Sequence, residues 1–493
     1  MKNIVLIGIL CMFITSAFPQ DRNSIWCFGD SAGIDFRNPS NPVTFKTGIR
    51  SRSDCASIAD ENGNLLFYVG SDTTVNVSSG FVYNRNHQQM PFGWGLKLGN
   101  WNHEVIIFPM PGDPDKYYIF HTSITQSLGI FYSIVDMSMD NGYGDVVVNN
   151  VTLATTSVTD GVAAVKHANG RDWWLIYAKR YQSAPTNMFI EYLITPAGIS
   201  APTIINIGNT HQSGAGDLNF SDDGEKFIFT TISNLVEVFD FDRCTGALSN
   251  PVVVKPESTG GEDFAVGSGV LSPDKNLVYI TYNADTSYVY QYDLRVNPVS
   301  SSRVEIAMFT DILFCTGMLR LAPDNKIYLS NAYQNLIQYF FPYADSVYNY
   351  FNMNLSVINS PDSAGVACDF QPYSFYLGGS RTYLGLPNNP NYELQAVQGS
   401  ICDSLISVKE IKDVDRLLAI YPNPFSDRIL INPVNETNEI VTIDIQNDTG
   451  QNVFTTETFF AKQELDLSHL PKGIYFLRIT SNSVSLVKRL IRI

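Results

Sequence analysis

Short apolar runs alternate with polar turns along most of this chain. The runs are rich in aromatic and β-branched side chains, which fit the pleated surface of a strand, and no long stretch has the 3.6-residue period of an amphipathic helix. Seven turns of Pro, Asp, Asn and Gly mark the pattern, at Asn62, Pro114, Asn169, Asp223, Asp274, Asp324 and Gly378. Successive turns lie 50 to 55 residues apart, and a steady period of this size predicts a repeat architecture.

Each repeat is long enough for about four short strands, and such units arranged radially are typical of a β-propeller. The predicted fold is therefore all-β, with a seven-bladed β-propeller over residues 21–400. The strand around Ile25–Phe36 precedes the first turn, so we expect it to join Gly365–Tyr376 in the last blade and close the ring. The alternative is a β-sandwich whose turn spacing is accidental.

The first twenty residues have the pattern of a secretory signal peptide. Lys2 supplies a positive charge, Ile4–Ile14 is an apolar run, and Thr15–Ala17 offers small residues for cleavage. The run is too short to span a bilayer, and no later stretch approaches 18 apolar residues. The sequence therefore predicts an exported protein with no transmembrane segment.

The end of the chain predicts a second, smaller domain. Residues 401–416 are polar and are expected to form a linker, and residues 417–493 contain short alternating strands. Two prolines two residues apart interrupt any preceding helix or strand and mark the start of this domain. Its pattern predicts a small Ig-like β-sandwich. The motif residues are Tyr421, Pro422, Asn423, Pro424, Gly450, Gly473, Ile474, Tyr475, Lys488 and Arg489.

In this order, these motifs resemble those of the type A C-terminal sorting domain of the type IX secretion system. The resemblance implies that the type IX machinery is a partner of this domain and carries the protein across the outer membrane. It also implies an extracellular or outer-membrane-surface location after Sec-type export to the periplasm. In that family the sorting domain is usually removed after passage.

The body of the chain resembles other propeller proteins. Ser272-Pro273-Asp274 and the equivalent turns resemble the WD40-like, S-P-D-G type of repeat. Segments such as Trp26–Gly29 and Gly385–Asn388 resemble a group of exported proteins common in the Bacteroidota. That group has no single activity, so the resemblance implies the fold and the export route alone.

Charge and cysteine content narrow the possible partners. The net charge is −16, and an acidic surface repels phosphate backbones, so we expect no nucleic acid partner. Six cysteines follow the predicted signal peptide, and none belongs to a C-x-x-C pair. In an exported protein they are either disulfides or buried free thiols, and the sequence leaves both open.

No residue pattern identifies a catalytic site, so the catalytic residues are unknown. His103-Glu104 with His121 is the one cluster that could be imagined as metal ligands, and polar strand and loop residues are the favoured interpretation. No metal site and no cofactor are predicted. Carboxylates are abundant, so a glycosidase-type pair stays open without a way to choose it.

Trp94 and Trp101 are the candidate ligand-binding residues. Two indoles in a glycine-rich segment could stack on sugar faces, and the alternative is that both rings pack in the core. The leading hypothesis is a binding module for a glycan or protein ligand, which we favour over an enzyme because the sequence has no recognisable catalytic motif. The alternatives are a secreted polysaccharide hydrolase or lyase and a structural component of the surface or gliding apparatus.

Overall fold

The computed structural model describes residues 21–71, 79–99, 101–124, 129–257, 266–283, 286–310, 316–331, 348–403, 418–433, 440–447, 451–480 and 485–493. The chain divides into two compact units, Met1–Ser400 and Ile401–Ile493. The predicted signal peptide and most of the predicted linker lie outside the described residues, so both stay predictions.

The described residues of the first unit form seven antiparallel sheets. The first has three strands, β1 (Ile25–Phe28), β2 (Asp30–Asp35) and β3 (Val43–Arg50). The second contains β4 (Cys55–Ala59), β5 (Leu65–Ser71), β6 (Gly80–Asn84) and β7 (Gln89–Leu96). The third contains β8 (Val105–Pro109), β9 (Lys116–Ser123), β10 (Gly129–Asp136) and β11 (Asp145–Ala154). The fourth contains β12 (Val158–Lys166), β13 (Trp173–Lys179), β14 (Thr186–Thr195), β15 (Gly198–Ile199) and β16 (Thr203–His211).

Three further four-stranded sheets complete the series. The fifth contains β17 (Gly216–Phe220), β18 (Lys226–Thr231), β19 (Val236–Phe241) and β20 (Leu248–Lys255). The sixth contains β21 (Val266–Leu271), β22 (Leu277–Asn283), β23 (Ser287–Asp293) and β24 (Val304–Phe309). The seventh contains β25 (Thr316–Leu321), β26 (Ile327–Asn331), β27 (Asn354–Ile358) and β28 (Phe370–Tyr376). Short 3-10 helices lie at Asp140–Gly142, Val299–Ser302 and Gly365–Cys368.

The sheets are arranged as the blades of a propeller. The first strand of each sheet contacts the first strand of the next, in the order β1, β4, β8, β12, β17, β21 and β25. These strands therefore line the centre of the ring, while the later strands of each sheet lie farther out. The predicted all-β fold and its seven blades are confirmed.

The repeating aspartates form the turns between the first two strands of a blade. Ser221 Oγ donates to Asp223 Oδ1 at 2.7 Å, and Ser272 Oγ makes the same bond to Asp274 at 2.6 Å. In both turns the aspartate Oδ1 also accepts an N–H bond from the residue two positions on. Side chains that hydrogen-bond their own turn in this way favour a tight reversal, which explains the recurrence of the pattern.

The predicted closure of the ring is wrong. The amino-terminal strands do not join the last blade, because β1, β2 and β3 form a sheet of their own. Strand β28 completes the seventh sheet, and Gly378 follows that sheet instead of dividing a blade. The chain then returns to the first sheet, where the Asp30 N–H donates to the Arg381 carbonyl oxygen at 2.8 Å.

Packing of aromatic side chains between the first and seventh sheets closes the propeller. Trp26 is 1% exposed, and its ring centre lies 5.0 Å from that of Phe36 and 5.9 Å from that of Tyr328. All three rings meet edge to face, the arrangement that aromatic quadrupoles favour. These residues belong to one buried cluster that includes residues of both sheets.

The cysteines divide between the two predicted states. Cys244 takes part in a disulfide, and so does Cys402. Cys27, Cys55 and Cys368 are buried free thiols. Neither alternative therefore applies to the whole set. Cys315 lies outside the described residues.

The second unit consists of two antiparallel sheets with a common core. One contains β29 (Leu418–Tyr421), β30 (Arg428–Pro433) and β33 (Gln463–Asp466), and the other contains β31 (Ile440–Asn447), β32 (Asn452–Phe459), β34 (Gly473–Thr480) and β35 (Ser485–Arg492). Alternate side chains of both sheets form a single buried cluster. The predicted β-sandwich is therefore confirmed. Of the described residues in both units, none forms a helix long and apolar enough to cross a membrane.

Candidate functional site

Trp94 and Trp101 both lie at the surface. Trp94 is on β7, the outer strand of the second blade, and is 61% exposed. Phe92, two residues earlier, is 68% exposed. Trp101 lies in the loop between β7 and β8 and is 39% exposed. The alternative that both rings pack in the core is therefore wrong.

Two asparagines of the third blade hold this aromatic segment in place. Asn149 Nδ2 donates to the carbonyl oxygens of Phe92 and Trp94 at 3.1 and 3.0 Å. Asn150 Nδ2 donates to the carbonyl oxygen of Gly95 at 2.8 Å. Gly95 has a φ of +77°, a left-handed conformation that glycine adopts without a Cβ clash. The backbone is thus fixed by β11 while the two aromatic side chains stay in solvent.

Trp101 has a different environment from Trp94. The guanidinium carbon of Arg52 lies 4.5 Å from the centre of the Trp101 ring, a cation–π distance. The Trp101 N–H donates to Glu104 Oε2 at 3.3 Å, and Glu104 itself is fully buried. Trp101 is therefore anchored near the start of β8, and Arg52 covers part of its ring.

A pocket of about 260 Å³ opens at the centre of the ring. Residues of the first strands of six blades line it, from β1, β8, β12, β17, β21 and β25. Such a position, where many elements converge, is a common place for a ligand site.

The segment after the last blade crosses this centre. Asn388 Nδ2 donates to the carbonyl oxygens of His103, Val105 and Val162 at 3.3, 3.1 and 2.8 Å. The Tyr392 hydroxyl donates to the carbonyl oxygen of Ile107 at 3.0 Å. Pro387–Asn391 then form part of the pocket lining. The segment therefore links the third and fourth blades and forms part of the pocket wall.

A buried charge cluster lies below the pocket. His103 Nδ1 and Asp217 Oδ1 are 2.5 Å apart, and both side chains are almost fully buried. Burial, together with the charge of Arg320, lowers the pKa of His103. Although burial acts in the opposite direction, His103 and Arg320 hold the pKa of Asp217 below its usual value. Asp217 is therefore ionised and accepts the Nδ1 proton of a neutral His103.

Arg320 lies beside this pair and lines the pocket. It is 7% exposed, and burial lowers its pKa to about 10, so the guanidinium stays charged at neutral pH. Its Nη2 donates to Asn388 Oδ1 at 2.5 Å. Nη2 also lies 3.0 Å from His103 Nδ1. Because Nδ1 carries the hydrogen that it donates to Asp217, it has no lone pair to accept a hydrogen bond from Nη2.

Three carboxylates line the outer part of the pocket, those of Asp21, Asp222 and Glu393. Burial raises the pKa of Asp21 to about 6, and the negative charges of Glu393 and Asp222 act in the same direction. Burial also raises the pKa of Asp222, with a contribution from Asp223. Glu393 and Asp222 are therefore near enough to Asp21 for their charges to act on it, and a cation beside Asp21 would relieve that repulsion.

The histidine and glutamate cluster considered in the sequence does not come together as a metal site. His103 pairs with Asp217, whereas His121 contacts Ser133 Oγ at 3.3 Å. Glu104 accepts backbone N–H bonds, including that of Ile124 at 3.3 Å. Within the described ranges, no group of three or more His, Cys, Asp and Glu side chains is arranged to hold a metal ion.

The sorting motif residues meet at the last strand of the second unit. Asn423 Nδ2 donates to the Arg489 carbonyl oxygen at 2.8 Å, and the Ile491 N–H donates to Asn423 Oδ1 at 2.9 Å. The buried Tyr475 donates its hydroxyl to the Pro471 carbonyl oxygen at 2.6 Å. The asparagine between the two prolines is thus a clamp on β35. Gly450 lies outside the described residues.

Further contacts fix the same edge. The Tyr421–Pro422 and Asn423–Pro424 peptide bonds are cis. The Phe425 N–H donates to the Ile491 carbonyl oxygen at 2.8 Å, and Gly473 and Ile474 pair with β35 from the other side. Tyr421 and Ile474 remain 48% and 47% exposed.

The pocket residues were missed by sequence reasoning. Arg320, Asp21, Asp222 and Glu393 come from distant parts of the chain, and no local motif joins them, although Asp222 lies in the repeat turn marked by Asp223. One signal was present, because Arg320 is a lone charge within the apolar strand Thr316–Leu321. A buried arginine is rare without a partner or a function.

Comparison with known proteins assigns the second unit. The family model described as "Secretion system C-terminal sorting domain" matches residues 419–493. These residues therefore form a sorting domain of the type IX system, as the motifs predicted. No curated protein sequence matches the chain.

Several solved propellers resemble the chain at low identity. The periplasmic gluconolactonase of Pseudomonas aeruginosa is 13% identical, with a TM-score of 0.46, over 74% of this chain and 98% of that one. The Dos1 propeller is 10% identical, with a TM-score of 0.40, over 75% of this chain and 88% of that one. At these values no property of those proteins is transferred to this chain.

Proposed function

We propose, on the premise that residues 419–493 are a type IX sorting domain, that this protein is a binding module which acts outside the cell on a glycan or protein ligand. The sorting domain implies export to the cell surface or secretion. Passage through the periplasm by the Sec route is part of the same proposal. The propeller is the part that binds the ligand, because the sorting domain serves to direct export.

The exposure of Trp94 and of its neighbour Phe92 is the observation that carries the proposal. Large aromatic rings are usually withdrawn from water, and these are more than half exposed on a backbone held by hydrogen bonds. Holding a ring in solvent on a rigid strand is useful for stacking against a sugar or an apolar side chain. Trp101 supports this surface from the adjoining loop, with part of its ring covered by Arg52.

Replacing both Trp94 and Trp101 with alanine should weaken ligand capture without unfolding the propeller. Each ring is expected to contribute on the order of 1 kcal/mol to stacking. Because both side chains are exposed, the free energy of unfolding should change by only about 0.5 kcal/mol. A glycan array and a panel of extracellular proteins, read with the purified protein, give the binding result, and a thermal melt gives the stability result.

Tyr376→Ala is the matched control, because Tyr376 is a similarly exposed aromatic residue, at 56%, on the outer strand of another blade. The control should capture ligand as the unchanged protein does. Equal capture by the double variant and the control, on a ligand that the protein binds, would contradict the aromatic surface as the binding site.

A second candidate, a polysaccharide hydrolase or lyase, is favoured by one observation. The central pocket holds three carboxylates, and the raised pKa of Asp21, about 6, is a property of general acids. Activity assays on any glycan captured in the array separate the two candidates. Release of reducing or unsaturated ends, lost in Asp21→Asn, would establish the enzyme.

A further inference from the structure

The central pocket contains opposite charges that are not paired with each other. Arg320 lies at its base, and Asp21, Asp222 and Glu393 lie toward its opening. Among the described residues, no ion pair joins Arg320 to any of the three carboxylates. The volume of about 260 Å³ is below the range of about 300 to 1,000 Å³ that drug-sized ligands occupy. The pocket therefore suits a small, charged molecule.

The hydrogen-bonding capacity of Arg320 is incompletely used. Nη2 donates to Asn388, and the fully buried Nε has no hydrogen-bond partner in the part of the chain that the structure describes. A buried guanidinium with unfilled donors is costly, because each donor has lost its water without gaining an acceptor. A carboxylate is the acceptor that matches a guanidinium best in charge and geometry.

The nearest internal anion does not supply that acceptor. Asp217 already accepts from His103 Nδ1 at 2.5 Å, the Leu218 N–H at 2.9 Å and Ser268 Oγ at 2.9 Å. It therefore lessens the cost of burying the Arg320 charge through space while its own oxygens are occupied by other donors. The Arg320 guanidinium lines the pocket and carries a positive charge, so a molecule in the pocket can pair with it.

The three carboxylates have free hydrogen-bond acceptors, which complement the positive charge of Arg320. Each has one oxygen in a single hydrogen bond, and its second oxygen has no hydrogen-bond partner in the described ranges. The donors to the occupied oxygens are the N–H of Asn23, Nδ2 of Asn391 and the N–H of Arg22. Three acceptor groups, two of which raise the pKa of the third, Asp21, favour a ligand with a positive charge and several N–H donors, which is an ammonium group.

We propose that the central pocket binds a small zwitterion of the amino-acid type, with its carboxylate on Arg320 and its ammonium group among Asp21, Asp222 and Glu393. One end of the ligand then pairs with the guanidinium of Arg320, which lines the pocket. The other end neutralises the carboxylates at the opening. The site is separate from the Trp94 surface, and either can exist without the other.

Isothermal titration calorimetry of the purified protein tests this assignment. The probes are glycine, L-serine, L-glutamine and D-glucosaminic acid, four zwitterions of increasing size. L-Serine has two matched halves, 3-hydroxypropionate without the ammonium group and ethanolamine without the carboxylate. We expect at least one zwitterion to bind and each serine half to bind about tenfold or more weakly than serine, since each lacks one charge-assisted contact.

Two variants locate the binding. Arg320→Gln should weaken zwitterion binding about tenfold or more, because it removes the charged donor. Asp222→Asn removes the charge and keeps an oxygen that accepts the hydrogen bond from Asn391 Nδ2, so the fold should be kept, and we expect affinity to fall severalfold. The double alanine variant of Trp94 and Trp101 is the control, and it should bind the zwitterion as the unchanged protein does.

Each outcome has a definite meaning. Zwitterion binding that is weakened by Asp222→Asn and unaffected in the tryptophan variant supports the pocket, even if Arg320→Gln does not fold. Absence of heat with all four zwitterions overturns the proposal. So does equal binding of serine and its halves, or unchanged affinity in Asp222→Asn and a folded Arg320→Gln.

Discussion

A chain that ends at Arg416 is expected to fold and to accumulate in the periplasm, with little or none at the cell surface. The truncation removes Leu417–Ile493, which contain the whole matched sorting domain. The propeller retains its own core, because the two units are compact separately. Fractionation of cells and medium, with detection of the propeller, measures the distribution. An undiminished surface or secreted fraction would contradict the role of the domain.

A point variant in the sorting domain refines the same prediction. Asn423→Ala removes both hydrogen bonds that clamp β35 and should lower the exported fraction. Ser426→Ala is the matched control in the same loop, since Arg492 Nε donates to the backbone carbonyl oxygen of Ser426, which the substitution keeps. Equal export of the two variants would show that the clamp is not needed.

Trp26→Ala is expected to lower the free energy of unfolding of the propeller by about 3 to 5 kcal/mol, the usual cost of truncating a buried aromatic side chain. Trp26 is 1% exposed, contacts Phe36 and Tyr328, and donates from Nε1 to Asn23 Oδ1 at 3.0 Å. The ring closes at this point, so the loss of packing separates the first blade from the last.

Chemical denaturation followed by tryptophan fluorescence or circular dichroism measures this loss. Trp94→Ala is the matched control, because it is the same substitution at a 61% exposed position. Its unfolding free energy should stay within about 0.5 kcal/mol of the original. Similar midpoints for the two variants would contradict ring closure through the Trp26 cluster.

The blades were predictable from the sequence because each depends on local chemistry. A turn such as that at Asp223 or Asp274 is formed by hydrogen bonds among residues within a few positions of one another. The closure was not predictable in the same way. It depends on which distant strands pair, and the bridge between Asp30 and Arg381 joins residues far apart in the chain. Hydrophobic periodicity carries no information on that choice.

The candidate sites also differ in whether they depend on short sequence patterns or on residues that are distant in the chain. The sorting motifs are short sequence patterns, so their order identified the domain, although the clamp between Asn423 and β35 is visible only in the fold. The pocket combines Arg320 with carboxylates from three other segments, and no local pattern connects them. The surface position of Trp94 was open in the sequence, because an indole in a glycine-rich strand fits either the core or a binding surface.

The most direct test of the central claim, export through the C-terminal domain, is to transfer that domain. Residues 417–493 are fused to a fluorescent protein that carries a signal peptide, in a bacterium with a working type IX system. The fusion is expected at the cell surface or in the medium, and the same fusion with Asn423→Ala should be exported less. A fusion that remains in the periplasm, while the native protein is exported from the same cells, would contradict the claim that this domain is a sufficient address.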